Sequence, residues 1–311
     1  MRISISIPAQ TLALYDDQAQ LIRRYSVSTA RNGPGEQRGS YCTPRGRHLI
    51  RAKVGAGSTA NTVFVRRRPT GELWSPALTE QFPERDWMLT RILWLSGTQV
   101  GFNRLGEVDT MRRFIYIHGS PDTATMGAPG SIGCVRMHNA DIIDLFDRVP
   151  AGTRVDIDDF QVTTGPWTTM KSQAAALRTQ VFVAEQGVPA ELEMDENDAV
   201  CWHALATDST GETIGTGRLL PDGHIGRMAV AAAWRGRGVG RALLDTLLEA
   251  ANERGMAVQQ LNAQTHAAGF YRPFGFVDDG DEFMEAGIPH LAMRRELVLI
   301  KGPLNDTRKA N

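Results

Sequence analysis

Two short signatures, one in each half of this 311-residue chain, constrain what it can fold into. The first is Ser-Ile-Gly-Cys-Val-Arg-Met at residues 131–137, preceded by the strand-like run 113–117 and by His118. The second is Arg-Gly-Arg-Gly-Val-Gly at residues 235–240, between a strand-like segment and a helical one. A tight turn that presents a thiol and a glycine-rich loop that opens a helix serve different chemistries. We therefore expect two domains, which this chain length accommodates.

The composition and the cysteine count exclude several classes of protein. The 34 basic and 35 acidic residues give a net charge of -1, so no overall field attracts nucleic acid or an acidic membrane. No segment approaches the roughly 20 apolar residues of a membrane-spanning helix. The three cysteines, Cys42, Cys134 and Cys201, are too few and too scattered for a disulfide framework or a zinc site. We therefore expect no metal, no nucleic acid and no membrane partner.

The amino-terminal segment predicts a strand. Residues 1–7 alternate apolar and polar side chains, which is the period of a half-buried strand. They lack the continuous apolar run and the small-residue cleavage site of a signal peptide. These features favour a cytoplasmic location.

Residues 1–157 are predicted to be rich in β-structure. The strand candidates are residues 3–7, 11–15, 21–29, 62–66, 90–95 and 153–157. The first two are expected to form a hairpin around residues 8–10. A helix is expected from Asn139, where apolar residues recur at helical spacing. Residues 158–166 are polar and are predicted to be a connector.

Residues 167–300 are predicted to mix helices and strands, and residues 301–311 to form a polar tail. The expected helices are residues 171–183, 240–254 and 267–271. The expected strands are residues 199–207, 213–220, 225–230, 258–263 and 291–297. This order of elements indicates an α/β domain.

The first signature carries the residue types that acyl transfer through a thiol requires. A cysteine attacks as thiolate and needs a neighbouring base, which His118 can supply to Cys134. Gly133 permits a sharp turn, after which the amides of Gly133 and Cys134 are available to an oxyanion. Arg136 has the planar fork that suits a substrate carboxylate. We therefore predict a cysteine–histidine site for acyl transfer.

The first half also contains a set of motifs that resembles one family. The motifs are Thr43-Pro44-x-Gly46, Ile115-Tyr116-Ile117-His118-Gly119, Ser131-x-Gly133-Cys134-Val135-Arg136-Met137, Asn139 with Asp141, and Gly152-Thr153-x-Val155-x-Ile157. This pattern resembles the YkuD-type L,D-transpeptidase catalytic domain, which implies a β-sandwich-like fold without a cofactor. The resemblance implies Cys134 as nucleophile and His118 as its base, with Gly119 and Gly133 completing the catalytic set. Ser131 and Arg136 are the expected substrate contacts, and Ile132 stands where many members carry a histidine.

The family that the first half resembles acts on L-to-D peptide bonds in peptidoglycan stems. Since we expect a cytoplasmic location, the leading hypothesis is an L,D-carboxypeptidase that trims the terminal D-alanine from murein tetrapeptides. Water would then resolve the acyl-enzyme. Two alternatives stay open, namely a transpeptidase that cross-links stems and a module that only binds them.

The second signature predicts a phosphate-binding loop. It follows the strand candidate 225–230 and precedes the helix candidate 240–254. Glycines let backbone amides approach phosphates, and the N-terminus of a helix adds a favourable dipole. The loop lacks the Gly-Lys-Ser/Thr ending of a Walker A motif.

The second half resembles the GNAT acetyltransferase family and, within it, an ElaA-like subgroup. The family resemblance rests on Arg235-x-x-Gly238-x-Gly240 and on Phe270-Tyr271-x-x-Phe274-Gly275-Phe276. The subgroup resemblance rests on Arg178-x-x-Val181-Phe182-Val183-x-Glu185-Gln186, Asp195, Asp198, His203 and Ile288-Pro289-His290. The family resemblance implies that acetyl-CoA binds and that Tyr271 protonates the departing thiolate. The residues expected to contact acetyl-CoA are Met228, Ala229, Val230, Arg235, Gly236, Arg237, Gly238, Val239, Gly240 and Arg241.

The acetyl acceptor and the general base of the second half stay open at this point. An amine is the expected acceptor, and Glu193, Asp195 and His290 are candidate bases without a ranking. The fusion favours an amine linked to wall turnover, such as D-alanine or the amine of the trimmed stem. Alternatively, the second half senses acetyl-CoA without turnover and regulates the first half.

Overall fold

The computed structural model of the protein describes residues 1–296, so the expected tail at residues 301–311 and the end of the second domain lie outside the described residues. The chain forms two compact units. The first contains Met1–Thr163, Ala206–Gly215 and Val230–Ala242, and the second contains Thr164–Leu205, Thr216–Ala229 and the described residues that follow Ala242. The first unit thus includes the second glycine signature, a grouping that the sequence did not predict.

One mixed sheet of ten strands dominates the first half. Its strands are β1 (Arg2–Ser6), β2 (Thr11–Tyr15), β3 (Leu21–Ser26), β4 (Gly46–Val54), β5 (Thr62–Val65), β6 (Arg68–Leu73), β7 (Met88–Gly97), β8 (Tyr116–Gly119), β9 (Val135–Met137) and β10 (Arg154–Asp158). The strands β3, β2, β1, β10, β4, β7, β5 and β6 lie side by side in that order, and β8 pairs with both β7 and β9. β1 and β2 form an antiparallel hairpin, as predicted, with Ser6 opposite Thr11.

The core of the ten-stranded sheet follows from the alternation of side chains along its strands. Ile3 and Ile5 of β1 are fully buried, whereas the residues beside them are partly exposed. The helix α2 (Asn139–Arg148) packs against β7 and β8 and buries Ile142 in the same core. A shorter helix, α1 (Pro76–Gln81), precedes β7. The β-rich first half that the sequence predicts is confirmed.

Three strands of this sheet, β4, β6 and β9, escape the sequence prediction, and β4 and β6 do so because their own residues are poor strand formers. β4 contains Gly46 and Lys53, and β6 contains Pro69 and Gly71. Glycine, proline and lysine are all depleted in strands. β4 nevertheless lies between β10 and β7, so pairing on both sides overrides the weak local preference.

The second half is an α/β structure, as predicted, and contains two further sheets. One sheet contains, in order, β11 (Gln161–Pro166), β12 (Trp202–Thr207), β13 (Thr213–Leu219) and β14 (Ile225–Val230). The other contains β15 (Val258–Gln264), β16 (Val277–Glu285) and β17 (Ile288–Glu296), with β17 in the centre. The helices are α3 (Trp167–Arg178), α4 (Ala190–Glu193), α5 (Val239–Glu253) and α6 (Ala268–Tyr271), and a π-helical segment, Thr179–Glu185, continues α3. Turns of 3-10 helix occupy Gly106–Val108, Glu196–Ala199, Ala232–Trp234, Thr265–Ala267 and Arg272–Phe274.

The expected connector at residues 158–166 is wrong in part, because β11 occupies most of it. Val162, Thr163 and Thr164 are β-branched and suit a strand. β11 is an edge strand that pairs with β12 alone, so most of its side chains stay polar and at least partly exposed. The same reasoning explains why the sequence missed β16, whose nine residues are all exposed and largely acidic.

The predicted long helix of the second half is confirmed as α5. Four leucines on this helix, Leu243, Leu244, Leu247 and Leu248, are fully buried, which matches their spacing along an amphipathic helix. Across residues 1–296, no helix combines the length and the apolar character needed to cross a bilayer.

His48 is a buried titratable residue on β4 that neither predicted site uses. Its Nδ1 lies 2.9 Å from the Gly46 carbonyl oxygen, and its Nε2 lies 3.1 Å from Thr110 Oγ1. Burial lowers the pKa of this imidazole from 6.5 to about 4. The folded protein therefore binds a proton at His48 less readily than the unfolded chain does.

We expect acid to destabilise the fold as the pH falls from 6.5 toward 4, because the unfolded state then gains a proton that folded His48 does not bind. Between pH 7 and pH 5 this histidine lowers the free energy of unfolding by about 2 kcal/mol. Urea unfolding at both pH values should show that the free energy of unfolding decreases less for His48→Gln than for the wild type. His266→Gln, which changes an exposed histidine, should keep the wild-type loss. An equal loss in His48→Gln and the wild type would contradict this assignment.

Candidate functional sites

A network of hydrogen bonds in the first unit holds the turn that carries Cys134. The Ser131 hydroxyl donates to the Cys134 carbonyl at 2.5 Å and accepts from the Gly133 amide at 3.1 Å. The Thr43 hydroxyl donates to the Gly133 carbonyl at 3.0 Å and accepts from the Ala30 amide at 2.9 Å. Gly133 has a φ of +131°, which favours glycine. The turn therefore places Cys134 in a fixed position directly before β9.

His118 on β8 is fully buried and has a defined tautomer. Its Nδ1 lies 2.8 Å from the Gly119 carbonyl oxygen, which can only accept, so Nδ1 carries the proton and Nε2 the lone pair. Nε2 is buried and has no hydrogen-bond partner within residues 1–296. Burial also lowers the pKa of the imidazole, which keeps it neutral at neutral pH. A buried acceptor without a partner is a candidate general base.

The parallel pairing of β8 with β9 brings the histidine and the cysteine together. His118 lies opposite Arg136, two residues after Cys134. The Cys134 side chain packs in one cluster with Tyr116 and Ile92. Tyr116 shares a face of β8 with His118, since alternate residues of a strand point the same way, and Ile92 is the β7 neighbour of His118.

The surroundings of Cys134 keep its thiol protonated. Burial raises the pKa of the thiol to about 12, although a hydrogen bond from the Tyr116 amide acts in the opposite direction. The sulfur lies 3.6 Å from the Phe114 carbonyl oxygen, to which the thiol donates. At neutral pH the pair therefore consists of an uncharged thiol and an uncharged imidazole.

A cavity of about 340 Å³ opens over the Cys134 thiol. The charged residues that line it are Arg38, Arg112, Arg113 and Asp86. Arg113 donates to backbone carbonyls and is held in place. Arg38 and Arg112 are exposed, and neither forms an ion pair in the part of the chain that the structure describes. The cavity therefore presents net positive charge to a ligand that reaches the thiol.

Three expectations about the cysteine-bearing turn are wrong. Ser131 is 1% exposed and its hydroxyl contacts are internal, so it is not a substrate contact. The Gly133 amide already donates to Ser131, which leaves only the Cys134 amide of the expected pair for an oxyanion. Arg136 donates to Asp86 at 2.5 Å and to the Gly130 carbonyl at 3.2 Å, and it does not line the cavity. Arg136 is thus engaged inside the protein and is not free for a substrate carboxylate.

Gly119 supports His118 through its backbone and through its lack of a side chain. Its carbonyl fixes the imidazole of His118. A Cβ at this position would lie 2.6 Å from Asn139 Oδ1 and 2.7 Å from the Leu89 carbonyl oxygen. Only glycine therefore fits between the base and the packed segment beside it.

The second glycine signature forms the turn before α5, as predicted. Gly236 and Gly238 have φ values of +75° and +97°, which glycine adopts without strain. α5 begins at Val239, so the loop leads directly into the N-terminus of a helix, where the backbone and the helix dipole favour an anion. The loop is therefore a candidate site for a phosphate group.

The arginines of this loop are less available than its amides. Within the first unit, Arg241 pairs with Asp156 at 2.5 Å. Arg237 stacks on Trp234, 3.8 Å from the ring centroid, and lies 3.8 Å from Asp159. The Arg235 guanidinium donates to the Val230 carbonyl. A pyrophosphate that binds the loop must therefore compete with carboxylates for Arg237 and Arg241.

A second cavity, of about 390 Å³, lies in the second unit. Met228 of β14, Tyr271 of α6 and His290 of β17 line it, whereas the neighbouring Ala229 is buried. Burial raises the pKa of Tyr271 to about 12, so its hydroxyl is protonated at neutral pH and can donate. The structure therefore brings Met228, Tyr271 and two of the three candidate bases, Glu193 and His290, to a single cavity.

Two of the three candidate bases, Glu193 and Asp195, are fixed in ion pairs. Glu193 is 2% exposed and accepts from Arg178 Nε at 2.5 Å. Asp195 accepts from two nitrogens of Arg218, each at 2.7 Å, and does not line the cavity. Asp195 is also the N-cap of a 3-10 turn, which gives its carboxylate a structural function.

Sequence reasoning did not single out Arg38, Arg112 or His224. The two arginines reach the first cavity only through tertiary folding, and no local pattern marks them. His224 lines the second cavity, and burial lowers its pKa. Its position directly before the strand that leads into the glycine loop is a signal that could have found it. In residues 1–296, no three histidine, cysteine or carboxylate side chains are arranged to hold a metal ion.

Two protein families match this chain. The L,D-transpeptidase catalytic domain family, YkuD, matches residues 1–157, which is just over half of the 311 residues. The acetyltransferase (GNAT) domain family matches residues 168–297. Both are families of enzymes.

The second half of the chain matches relatives over most of each relative's length. The N-acetyltransferase YjcF of Bacillus subtilis, described as uncharacterized, is 40% identical over 124 residues, 39% of this chain and 88% of YjcF. The protein ElaA of Escherichia coli is 33% identical over 130 residues, 39% of this chain and 84% of ElaA. The crystal structure of Escherichia coli ElaA is 29% identical, covers 44% of this chain and 99% of its own, and has a TM-score of 0.41. The chain therefore belongs to the YkuD L,D-transpeptidase family in its first half and to the GNAT acetyltransferase family in its second.

Proposed function

We propose that the first half is an L,D-carboxypeptidase that removes the terminal D-alanine from murein tetrapeptide stems, and that the second half acetylates an amine. The observation that carries the first proposal is the positively charged cavity over the Cys134 thiol. The β8–β9 pairing supports it, because it places His118, whose Nε2 has no partner within the described residues, opposite the residue two positions after Cys134. A tetrapeptide stem presents its free carboxylate one residue beyond the bond to be cut. A cytoplasmic location, where fragments of the wall would be trimmed, is part of this proposal.

In the first step of the proposed reaction, Nε2 of His118 takes the Cys134 proton as the sulfur bonds to the carbonyl carbon before D-alanine. The Cys134 amide donates to the developing oxyanion. The carbon–nitrogen bond then breaks, and the amine of D-alanine takes the proton from the imidazolium. In the second step, water gives a proton to Nε2 while its oxygen attacks the thioester, and the departing sulfur recovers the proton as a thiol.

The charges at rest support general-base catalysis in this site. A thiol with a pKa of about 12 is almost entirely protonated at neutral pH. The neighbouring imidazole is neutral, because burial lowers its pKa. The proton therefore moves to His118 as the sulfur attacks, and no ion pair is needed beforehand.

The positive rim of the cavity supports a substrate that ends in a carboxylate. Arg38 and Arg112 are exposed on this rim and free of ion pairs within the described residues. A guanidinium group binds a carboxylate through strong, charge-assisted hydrogen bonds. Arg113 is already engaged with backbone carbonyls, so the exposed pair is better suited to this contact.

The second half is proposed to transfer an acetyl group to an amine. Acetyl-CoA would supply the activated thioester, held through its pyrophosphate by the backbone of the loop before α5. The Tyr271 hydroxyl, protonated because burial raises its pKa to about 12, would give its proton to the leaving thiolate. Binding of acetyl-CoA without turnover would favour a sensor instead.

The purified protein should release one alanine from a disaccharide-tetrapeptide, which mass spectrometry detects as a product shorter by one residue. Cys134→Ala should abolish the reaction, and His118→Gln should slow it by at least about 100-fold. Cys42→Ala is the matched control, because Cys42 does not line the cavity. A tripeptide with a free amine, added to the mixture, tests the alternative activity. A cross-linked product would show that the first half is a transpeptidase and not a carboxypeptidase. Alanine release that survives Cys134→Ala, or no reaction at all, would contradict the proposal.

The rim arginines should discriminate between a tetrapeptide that ends in a carboxylate and the same tetrapeptide with a terminal amide. For the wild type, we expect kcat/KM to fall at least about tenfold on amidation, since hydrogen bonds to a charged group are lost. The double variant Arg38→Gln/Arg112→Gln should accept both peptides nearly equally, with a raised KM for the acid. Arg104→Gln, at an exposed arginine outside the cavity, should keep the wild-type ratio. Unchanged discrimination in the double variant would exclude these arginines as the carboxylate contact.

A further inference from the structure

The cavity of the second unit contains several groups that could take a proton from an amine. The titratable and charged residues that line it are Glu193, His224, Arg227, Tyr271, Glu285 and His290. An alkylamine is an ammonium ion at neutral pH and must lose a proton before its nitrogen can attack a thioester. The identity of the group that takes this proton is open, because the residue types alone do not rank these candidates.

Glu193 is unsuited to this task, although burial raises its pKa. One carboxylate oxygen lies 2.5 Å from Arg178 Nε, and the other lies 3.5 Å from Arg227 Nε. Arg178 is 1% exposed, so a neutral Glu193 would remove part of the charge that compensates a buried cation. Removing one member of a buried ion pair is costly, and Glu193 therefore stays ionised.

His224 and Glu285 are weaker candidates than His290. No hydrogen bond within residues 1–296 orients the His224 imidazole, whereas a backbone carbonyl orients that of His290. Glu285 lies at the exposed end of the β16–β17 hairpin and accepts a hydrogen bond from Asn262 at 3.3 Å. A carboxylate is generally a weaker base than an imidazole, so Glu285 is better suited to attract an ammonium ion than to deprotonate it.

His290 has the geometry of a positioned base. Its Nδ1 lies 2.9 Å from the Ile288 carbonyl oxygen, so Nδ1 carries the proton and Nε2 carries the lone pair. The imidazole also packs against the Phe283 ring, with 6.0 Å between the ring centroids. These two contacts fix the orientation of an imidazole that lines the cavity together with Tyr271.

We propose that His290 takes the ammonium proton of the acetyl acceptor through Nε2. This inference rests on the proposed acetyltransferase function and assigns a role that the sequence left open. His290 accepts the first proton of the ammonium group, and the amine nitrogen bonds to the acetyl carbon as the carbon–sulfur bond breaks. Tyr271 gives its proton to the departing thiolate and recovers the second proton of the nitrogen. The products are the amide and free CoA, and His290 passes its proton to solvent.

Two amine acceptors of equal size can show whether His290 acts as a base or only supports the structure. Propylamine is protonated at neutral pH, whereas ethoxyamine is already unprotonated and needs no base before it attacks. We expect His290→Gln to lower kcat/KM for propylamine by at least about 100-fold and that for ethoxyamine by no more than about threefold. Product formation is measured by mass spectrometry and by release of the CoA thiol. Turnover of ethoxyamine by the variant also shows that it is folded and binds acetyl-CoA.

The other outcomes each contradict a stated part of the account. An equal loss for both acceptors in His290→Gln would assign His290 a structural role and overturn the inference alone. A selective loss of propylamine turnover in His224→Gln, with His290→Gln unaffected, would place the base at His224. A wild type that acetylates neither amine would overturn the acetyltransferase function and the inference with it. His266→Gln, at an exposed histidine that does not line the cavity, should behave as the wild type.

Discussion

The first site depends on the pairing of β8 with β9, which places a buried histidine beside the turn that carries the cysteine. The Gly119 carbonyl then fixes the tautomer of His118 and leaves Nε2 without a partner. A side chain at Gly119 would collide with neighbouring atoms, so the same residue permits the close packing and orients the base. The hydroxyl groups of Ser131 and Thr43 donate hydrogen bonds that hold the turn that carries Cys134.

The second unit uses buried charge in a different way. Arg178 and Arg218 share the carboxylate of Asp198, each at 2.7 Å, and each also pairs with a further acid. Desolvating such charges is costly, and their mutual hydrogen bonds offset the cost only while the set is complete. The network therefore immobilises Glu193 and Asp195. The proton chemistry of the adjacent cavity is left to groups outside the network, of which His290 is the best positioned.

The sequence predicted the parts that local patterns control. Alternating residues predicted the β1–β2 hairpin, helical spacing predicted α5, and glycines predicted both turns. The strands β4, β6, β9, β11 and β16 were missed. β4 is a strand because its neighbours pair with it on both sides, whereas β11 and β16 are edge strands whose side chains are mostly polar and at least partly exposed. The prediction that Ser131 and Arg136 contact substrate was wrong. A sequence motif does not show that a polar side chain already has hydrogen-bond partners inside the protein. Arg38 and Arg112 could not be predicted from the sequence, because only the tertiary fold brings them to the cavity.

The central claim is that the first site rests as an uncharged thiol beside an uncharged imidazole and that the proton moves only during attack. The most direct test is the rate at which iodoacetamide alkylates Cys134 between pH 7 and pH 10, with the modified residue located by peptide mass spectrometry. Since only the thiolate reacts and burial raises the pKa of the thiol to about 12, the rate should rise about tenfold per pH unit. A rate that is already maximal near pH 7 would contradict the account, because it would show a thiolate–imidazolium pair at rest.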